Sequence, residues 1–269
     1  MIAVVDYQKG NLKSVERGLI AAGGEAFITA DASEIAKADA IVLPGVGAFA
    51  DAAATMCELG QMEAIRDRVR AGVPFLGICL GEHLMFEHGV EGAPEGNPAY
   101  GLGLLPGTVV AMPRCDAQGK TFKVPHVGWN TIEMPACNGG AAIPPCGEGG
   151  GNAVLSSGGA GGGAARSSAA KRGLFEHGAF PGSTPQPGGD LAFACPLFDG
   201  IAPGEYFYFT HSYIAPTGSH TIAETTHSVR FTSAVQFGEC AFGVQFHPEK
   251  SSDAGARVLA NFVAIAARG

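Results

Sequence analysis

Basic residues are scarce in this chain of 269 residues: 17 Lys and Arg stand against 25 Asp and Glu, which gives a net charge of −8. No stretch concentrates positive charge, so a nucleic-acid-binding protein, which needs a basic surface for phosphates, is not expected. No apolar run approaches the ~20 residues that span a bilayer, and the N-terminal residues lack the pattern of a signal peptide. These absences favour a cytoplasmic protein that binds neither nucleic acid nor membrane.

Close cysteine pairs of the CxxC type are also absent, although the sequence has seven cysteines. An odd number of cysteines without such pairs suggests neither a zinc site nor a disulfide framework. A cytosolic enzyme with one reactive cysteine is the better expectation, and neither a metal nor another cofactor is predicted.

Strand and helix patterns alternate in the first part of the chain. Short apolar runs predict strands at 2–5, 26–29, 40–45 and 74–78, and helical spacing of apolar residues predicts helices at 11–23, 31–38 and 61–72. Continuous apolar strands separated by helices are typical of a parallel sheet covered on both faces. The predicted fold is therefore α/β: a doubly wound, mostly parallel sheet flanked by helices.

The later part of the chain is richer in β-branched residues, aromatics and turns. It predicts a smaller antiparallel or mixed β portion and a final amphipathic helix, with strands at 107–112, 205–216, 220–227, 233–237 and 241–246 and the helix at 252–269. Residues 136–195 interrupt this pattern with a low-complexity stretch rich in Gly and Ala, which buries too little apolar surface to offset its chain entropy. We expect one domain over 1–269 with a low-complexity insertion at 136–195. Within it, 136–173 is expected to be flexible, and the segments LFEHGAF (174–180) and LAFACPLF (191–198) can dock locally.

Cys79 lies between Gly77 and Gly81, where the strand pattern of 74–78 gives way to helical spacing. One interpretation is a buried cysteine that packs as a small apolar side chain. The other is a nucleophile on a tight strand-to-helix turn, for which two flanking glycines provide the room. Because Asp6 and Gly45 also follow predicted strands, and the carboxyl ends of parallel strands share one edge of a sheet, the nucleophile is favoured.

A nucleophilic cysteine needs a base, and the base needs an orienting group. The segment VQFHPEKS (244–251) offers both, because His247 and Glu249 are two residues apart and share one side of an extended chain. His247 can deprotonate Cys79, and Glu249 can hold the imidazole ring in the required tautomer.

A negatively charged tetrahedral intermediate needs hydrogen-bond donors as well. The N–H of Leu80, directly after the nucleophile, is one candidate. The loop PGVGAF (44–49), with Gly45 and Val46, follows a neighbouring strand and can supply the second. An ordinary Gly-rich loop between strand and helix remains the alternative.

Together, GICLG around Cys79 and the later HPE resemble the triad class of glutamine amidotransferases, which release ammonia from the side-chain amide of glutamine. Further segments resemble the glutaminase subunits of imidazole glycerol phosphate synthases; these segments are DYQKGNLKSV, LPGVGAF, KVPHVGWN, THSY and VQFHPEKS. The resemblance covers almost all of 1–134 and 196–269.

The resemblance implies a nucleophile at Cys79, a general base and acid at His247 and an orienting acid at Glu249. It implies that L-glutamine is held through the THSY segment, by Thr210, Ser212 and Tyr213. It also implies a heterodimer with a cyclase subunit, a separate (β/α)8 barrel that uses the ammonia to make imidazole glycerol phosphate in histidine biosynthesis. The residues expected near that partner are Asn11, Pro125, His126, Gly128, Trp129 and Asn130. Glutamine hydrolysis is then expected to be slow in the isolated chain and stimulated by the cyclase with its ligand.

One departure from the family lies directly after the GICLG segment around Cys79, where Glu82 and His83 replace the usual Met-Gln pair. His83 can still donate and accept hydrogen bonds to glutamine. We expect Glu82 to point away from the thiol. Two alternatives stay open: another class I amidotransferase or cysteine hydrolase on the same scaffold, and a subunit that binds without catalysis.

Overall fold

A computed structural model describes residues 1–135 and 193–268 of the chain. The strands of the described residues are β1 (Ile2–Val5), β2 (Ala26–Thr29), β3 (Ala40–Gly45), β4 (Phe75–Cys79), β5 (Phe86–Gly89), β6 (Ala99–Tyr100), β7 (Leu105–Ala111), β8 (His126–Thr131), β9 (Tyr206–His211), β10 (Tyr213–Ile214), β11 (Thr221–Thr226), β12 (Arg230–Phe237) and β13 (Ala241–Val244). The α-helices are α1 (Leu12–Ala21), α2 (Ala32–Ile35), α3 (Phe49–Glu58), α4 (Gln61–Arg70), α5 (Leu80–His83) and α6 (Ser252–Ala266). Short 3-10 helices lie at Pro196–Phe198 and Pro248–Lys250.

The main sheet of the described residues has the strand order β11-β12-β13-β4-β3-β1-β2. The run from β13 through β4, β3 and β1 to β2 is parallel, whereas β12 is antiparallel to both β11 and β13. Two smaller assemblies accompany it: a sheet of order β10-β7-β5-β6 and a two-stranded antiparallel ribbon of β8 and β9. The predicted fold, a mostly parallel α/β sheet with a smaller mixed β portion, is confirmed.

Two hydrophobic cores lie on opposite faces of the main sheet. In β1, Ile2 and Val4 belong to one core and Ala3 and Val5 to the other, because successive side chains of a strand point to opposite faces. Helices α1 and α6 cover the first core, and α2, α3 and α4 cover the second. Every residue of β1, β3 and β4 is buried, which explains why these strands are continuously apolar.

The helices differ from the predicted ones in three places. The helix after Cys79 is a single turn, α5, and the chain then enters strand β5. The helix predicted at 31–38 is limited to α2, and α3 is an addition to the predicted elements. The buried face of α3 consists of Phe49, Ala52, Ala53 and Met56, so alanine occupies two of its four positions and the apolar pattern is easy to overlook in the sequence.

The insertion predicted at 136–195 lies outside the described residues except for its last three positions. Phe193 and Cys195 are buried with Leu197 and Phe198 in the core beneath α6, so the described part of the segment LAFACPLF packs on the fold, and the bounds of the insertion stay a prediction. Cys115 is disulfide-bonded, which the cysteine pattern of the sequence did not indicate. Cysteine spacing could not indicate this bond, because pairing depends on proximity in the folded chain.

Candidate active site

Cys79 ends strand β4 on a strained turn. Its φ of 55° and ψ of −106° lie in a region that side chains other than glycine rarely adopt. The flanking glycines are needed for room: a Cβ on Gly77 would lie 2.5 Å from the carbonyl oxygen of Gly81, and one on Gly81 would lie 1.8 Å from that of Leu43. The turn therefore presses α5 against β3 and β4 and lifts the thiol out of the strand.

The strand order places Cys79 between two functional loops. Gly45 of β3 pairs with Cys79 on one side, and Val244 of β13 pairs with Ile78 on the other. His247 follows three residues after β13, so it leaves the same edge of the sheet as Cys79. Cys79, the predicted nucleophile, thus has the Gly45 loop on one flank and the predicted base on the other.

His247 and Glu249 form a buried pair. The Nδ1 atom of His247 lies 3.0 Å from Oε1 of Glu249, and both side chains are nearly inaccessible to solvent. Burial lowers the pKa of His247, but hydrogen bonding and the charges of Cys79 and Glu249 outweigh it and raise the pKa to about 9. The second ring nitrogen, Nε2, is buried and has no hydrogen bond of ordinary geometry among the described residues. With Nδ1 directed at Glu249, Nε2 is the nitrogen that can exchange a proton with Cys79.

The sulfur of Cys79 has two further polar contacts. It lies 3.9 Å from the carbonyl oxygen of Thr210 and 3.7 Å from Nε2 of Gln245, whose Oε1 lies 2.7 Å from Nε2 of His83. Gln245 was not among the residues predicted for the site. The signal that could have found it is its spacing of two from His247, the same spacing that links His247 to Glu249.

A pocket of about 380 Å³ opens beside Cys79. Its lining brings together eight of the residues named from the sequence: Val46, Cys79, Leu80, His83, Pro125, Thr210, Ser212 and Tyr213. Glu91 and His211 line it too, and neither was named in advance. The volume falls within the ~300–1,000 Å³ of small-molecule sites and suits an amino acid.

The candidate oxyanion donors flank the thiol. Leu80 is the first residue of α5, and a helix-initiating N–H has no acceptor within its own helix. Gly45 is buried, and a Cβ there would lie 2.1 Å from the hydroxyl of Tyr7, so only glycine fits above this tyrosine. Val46 is 44% exposed at the pocket rim. Burial and the charge of Cys79 raise the pKa of Tyr7 above its ordinary value, against a backbone hydrogen bond from Val46.

Glu82 is fully buried beside the candidate site. Its side chain is 0% exposed, and neither carboxyl oxygen has a hydrogen-bond partner among the described residues. A Cβ on Gly243 would lie 2.7 Å from Cγ of Glu82, so the side chain occupies space that this glycine leaves on β13. Burial, and secondarily the charge of Cys79, raise the pKa of Glu82 well above 4.5.

The ribbon of β8 and β9 carries most of the residues expected near a partner. Trp129 pairs with Tyr208, and Val127 pairs with Thr210 of the pocket. Val127, Trp129 and Tyr206 are all exposed large apolar side chains, and the Trp129 and Tyr208 rings lie 6.1 Å apart. We call Val127, Trp129, Tyr206 and Tyr208 the ribbon face. It is an apolar surface that runs directly to the pocket wall.

The remaining residues of that prediction are placed differently. His126 lies on the opposite side of the ribbon, where its ring is 5% exposed and its Nδ1 lies 3.0 Å from Nε2 of His211. Asn130 reaches the same buried ring at 3.3 Å through its side-chain nitrogen. Asn11 is exposed at the N-terminus of α1, and Pro125 lies at the pocket. The His126 side chain is therefore not on the surface that a partner could contact.

A strained cysteine elbow, a His–Glu pair and a pocket at the carboxyl edge of a parallel sheet define a triad-type amidotransferase. In agreement, the family model described as "Glutamine amidotransferase class-I" matches residues 3–136. Imidazole glycerol phosphate synthase subunit HisH of Moorella thermoacetica is 36% identical, over 97% of this chain and 93% of that protein. The same subunit of Rhodopirellula baltica is 35% identical, over 97% and 96%. The chain belongs to the family of HisH subunits of imidazole glycerol phosphate synthase.

Solved structures support the same fold. A structure described as glutamine amidotransferase matches with a TM-score of 0.58 and 16% identity, covering 99% of this chain and 100% of the other. PurLQS from Thermotoga maritima matches with a TM-score of 0.56 and 14% identity, covering 98% and 97%. At such identities these likenesses concern the fold alone.

Proposed function

We propose that this chain hydrolyses L-glutamine to glutamate and ammonia through a thioester on Cys79 and supplies the ammonia to a cyclase subunit. Membership of the HisH family assigns the chain to imidazole glycerol phosphate synthase and histidine biosynthesis. The observation that carries the assignment of residues is the strained Cys79 beside a His247–Glu249 pair at 3.0 Å.

The first half of the reaction forms the thioester. A protonated His247 beside the sulfur favours the thiolate, which attacks the amide carbon of glutamine. The N–H of Leu80 and a donor from the Gly45–Val46 loop would stabilise the oxyanion. His247 then gives its proton to the departing nitrogen, and ammonia leaves. A pKa of about 9 keeps His247 protonated at neutral pH for this transfer.

The second half releases glutamate. Neutral His247 takes a proton from a water molecule, which attacks the thioester carbon, and the thiolate leaves. Glu249 holds Nδ1 throughout, so that Nε2 carries out both proton transfers. Backbone groups of Thr210, Ser212 and Tyr213 are suited to hold the glutamine, because they form the wall facing Cys79.

We infer that the ribbon face docks on the cyclase subunit, which resemblance suggests to be a (β/α)8 barrel. Aromatic residues are enriched in the centres of such interfaces, and Trp129 with Tyr206 and Tyr208 supplies three. Gly128 and Asn130 lie on the same ribbon, and Pro125 precedes it at the pocket. Asn11 is proposed as a partner residue on the resemblance alone. Since β9 also provides Thr210, docking can alter the pocket, which supports stimulation by the partner with its ligand.

The test compares two nitrogen sources. Cys79→Ala should abolish imidazole glycerol phosphate synthesis from glutamine and leave synthesis from ammonium salts intact when the cyclase is present. Loss of both activities would contradict the role of an ammonia-supplying subunit. Glutamate release by the wild-type chain alone, with the cyclase, and with cyclase plus ligand measures the stimulation. A high rate alone that the cyclase does not change would instead favour an independent hydrolase. A cytoplasmic location stays a prediction.

A further inference from the structure

Gln245 lies in the core of the candidate site, yet the triad mechanism makes no use of it. Its side chain is 0% exposed, and its carboxamide lies between two groups of the site. Oε1 is 2.7 Å from Nε2 of His83, and Nε2 is 3.7 Å from Sγ of Cys79. All three side chains are more than nine-tenths buried, so water does not compete for these contacts.

The chemistry of the groups settles the direction of both hydrogen bonds. A carboxamide oxygen only accepts, so His83 must donate from Nε2. Burial lowers the pKa of His83 to about 4, against the hydrogen bond to Gln245, and the ring is therefore neutral with its single proton on Nε2. The carboxamide nitrogen of Gln245 then faces the sulfur as a donor.

The opposite orientation of the carboxamide would be unfavourable for a charged sulfur. The oxygen of Gln245 would then face Sγ of Cys79, where it would repel a thiolate. His83 therefore holds the donor of Gln245 toward the nucleophile. A donor on a thiolate stabilises the charged form, which is the nucleophilic one.

We propose that Gln245 is a catalytic residue that donates a hydrogen bond to the Cys79 thiolate, and that His83 is a positioning residue that fixes its carboxamide. This inference rests on Cys79 being the nucleophile, as proposed above. It assigns His83 a function behind the thiol in addition to its place in the pocket lining. It also adds a third polar group around the sulfur, besides His247 and the Thr210 carbonyl.

The test follows the ionisation of Cys79 directly. The rate of iodoacetamide alkylation is measured as a function of pH in the full-length chain, at the Cys79 peptide by mass spectrometry, because Cys57, Cys195 and Cys240 are also free thiols. The groups that titrate around the sulfur are Tyr7, Glu82, His83 and His247, and three of these are unchanged in every variant. Differences between profiles therefore report the altered contact.

Gln245→Leu should move the inflection of the alkylation profile upward by about one pH unit, because the thiolate loses a donor. Gln236→Leu is the matched control: Gln236 lies on β12, and its amide bonds the carbonyl of Gly238 away from the site. It should leave the inflection unchanged. An unchanged inflection in a folded Gln245→Leu protein would overturn the proposal.

The His83 variants test the same contact without altering Gln245, and they decide the matter if Gln245→Leu does not fold. His83→Leu removes the donor to Oε1 and should shift the inflection upward. His83→Gln supplies an N–H to the same oxygen and should restore the wild-type profile. An equal shift in both, or in neither, would contradict positioning through the carboxamide. If the wild-type chain failed to hydrolyse glutamine with its partner, the proposed function would fail, while these profiles would still decide on Gln245.

Discussion

Replacing Glu82 by methionine is expected to stabilise the fold, and increasingly so as the pH rises. The carboxyl group is 0% exposed without a partner among the described residues, and burial raises its pKa well above 4.5. At pH values between 4.5 and the raised pKa, Glu82 keeps its proton in the folded chain and has lost it in the unfolded chain. Unfolding therefore releases a proton, and stability falls as the pH rises.

The size of the effect follows from the burial of the unpaired Glu82 carboxyl group and from its raised pKa. The slope is about 1.4 kcal/mol per pH unit for one proton, and it continues until Glu82 ionises in the folded state. The neutral but unpaired carboxyl costs a further ~1–3 kcal/mol at every pH in this range. Glu82→Met removes both contributions, because the thioether side chain packs in the same space without a polar group.

Glu82→Gln separates the two contributions. It cannot ionise, so it should lose the slope, but it keeps an unpaired polar group and should lack the constant gain. Urea unfolding of the three proteins at several pH values from 5 to 8 gives the free energies of unfolding. Parallel pH profiles for wild type and Glu82→Met would refute the reasoning, since they would mean that Glu82 ionises equally in both states.

Three further predictions concern other parts of the site. Cys79→Ala should lower the pKa of His247 from about 9, because the hydrogen bond and charge of the sulfur are lost while Glu249 remains; an NMR titration of the ring protons that still centres near 9 would contradict this. Gly81→Ala should cost more than about 4 kcal/mol of folding free energy, because the added Cβ would lie 1.8 Å from a backbone oxygen. Gly18→Ala is the control: its Cβ would meet only the flexible end of a leucine, so this variant should lose far less stability. The midpoints of urea unfolding compare the two variants. Trp129→Ala should weaken binding of the cyclase subunit by about 2 kcal/mol or more in calorimetry, and an unchanged affinity would contradict docking through the ribbon face.

The parts of the fold and site that follow from the sequence are those with short-range signals. The strands around Cys79 are continuous apolar runs, and the rule that parallel strands share a carboxyl edge brings Gly45 and Cys79 together. The parallel pairing of β13 with β4, which brings His247 to the same edge, was not predicted. The spacing of two between His247 and Glu249 agrees with their hydrogen bond. The two predicted relations required no knowledge of distant packing.

The parts that sequence could not give depend on packing between distant segments. Glu82 is buried because Gly243, far along the chain, leaves room for it. His126 faces inward because of its register with His211 on the other strand of the ribbon. Helix α3 carries alanine at two of the four positions on its buried face, so its helical pattern is hard to recognise in the sequence.

The position of β4 between β3 and β13 has a consequence for how the chain acquires activity. Cys79 and Gln245 are separated by 166 positions, so the thiol meets its neighbours only through a contact of long range in sequence. Such contacts form late, since the entropy of closing a long loop must be overcome first. A partly folded chain in which β13 has not yet paired with β4 therefore has Cys79 without Gln245 and His247 beside it.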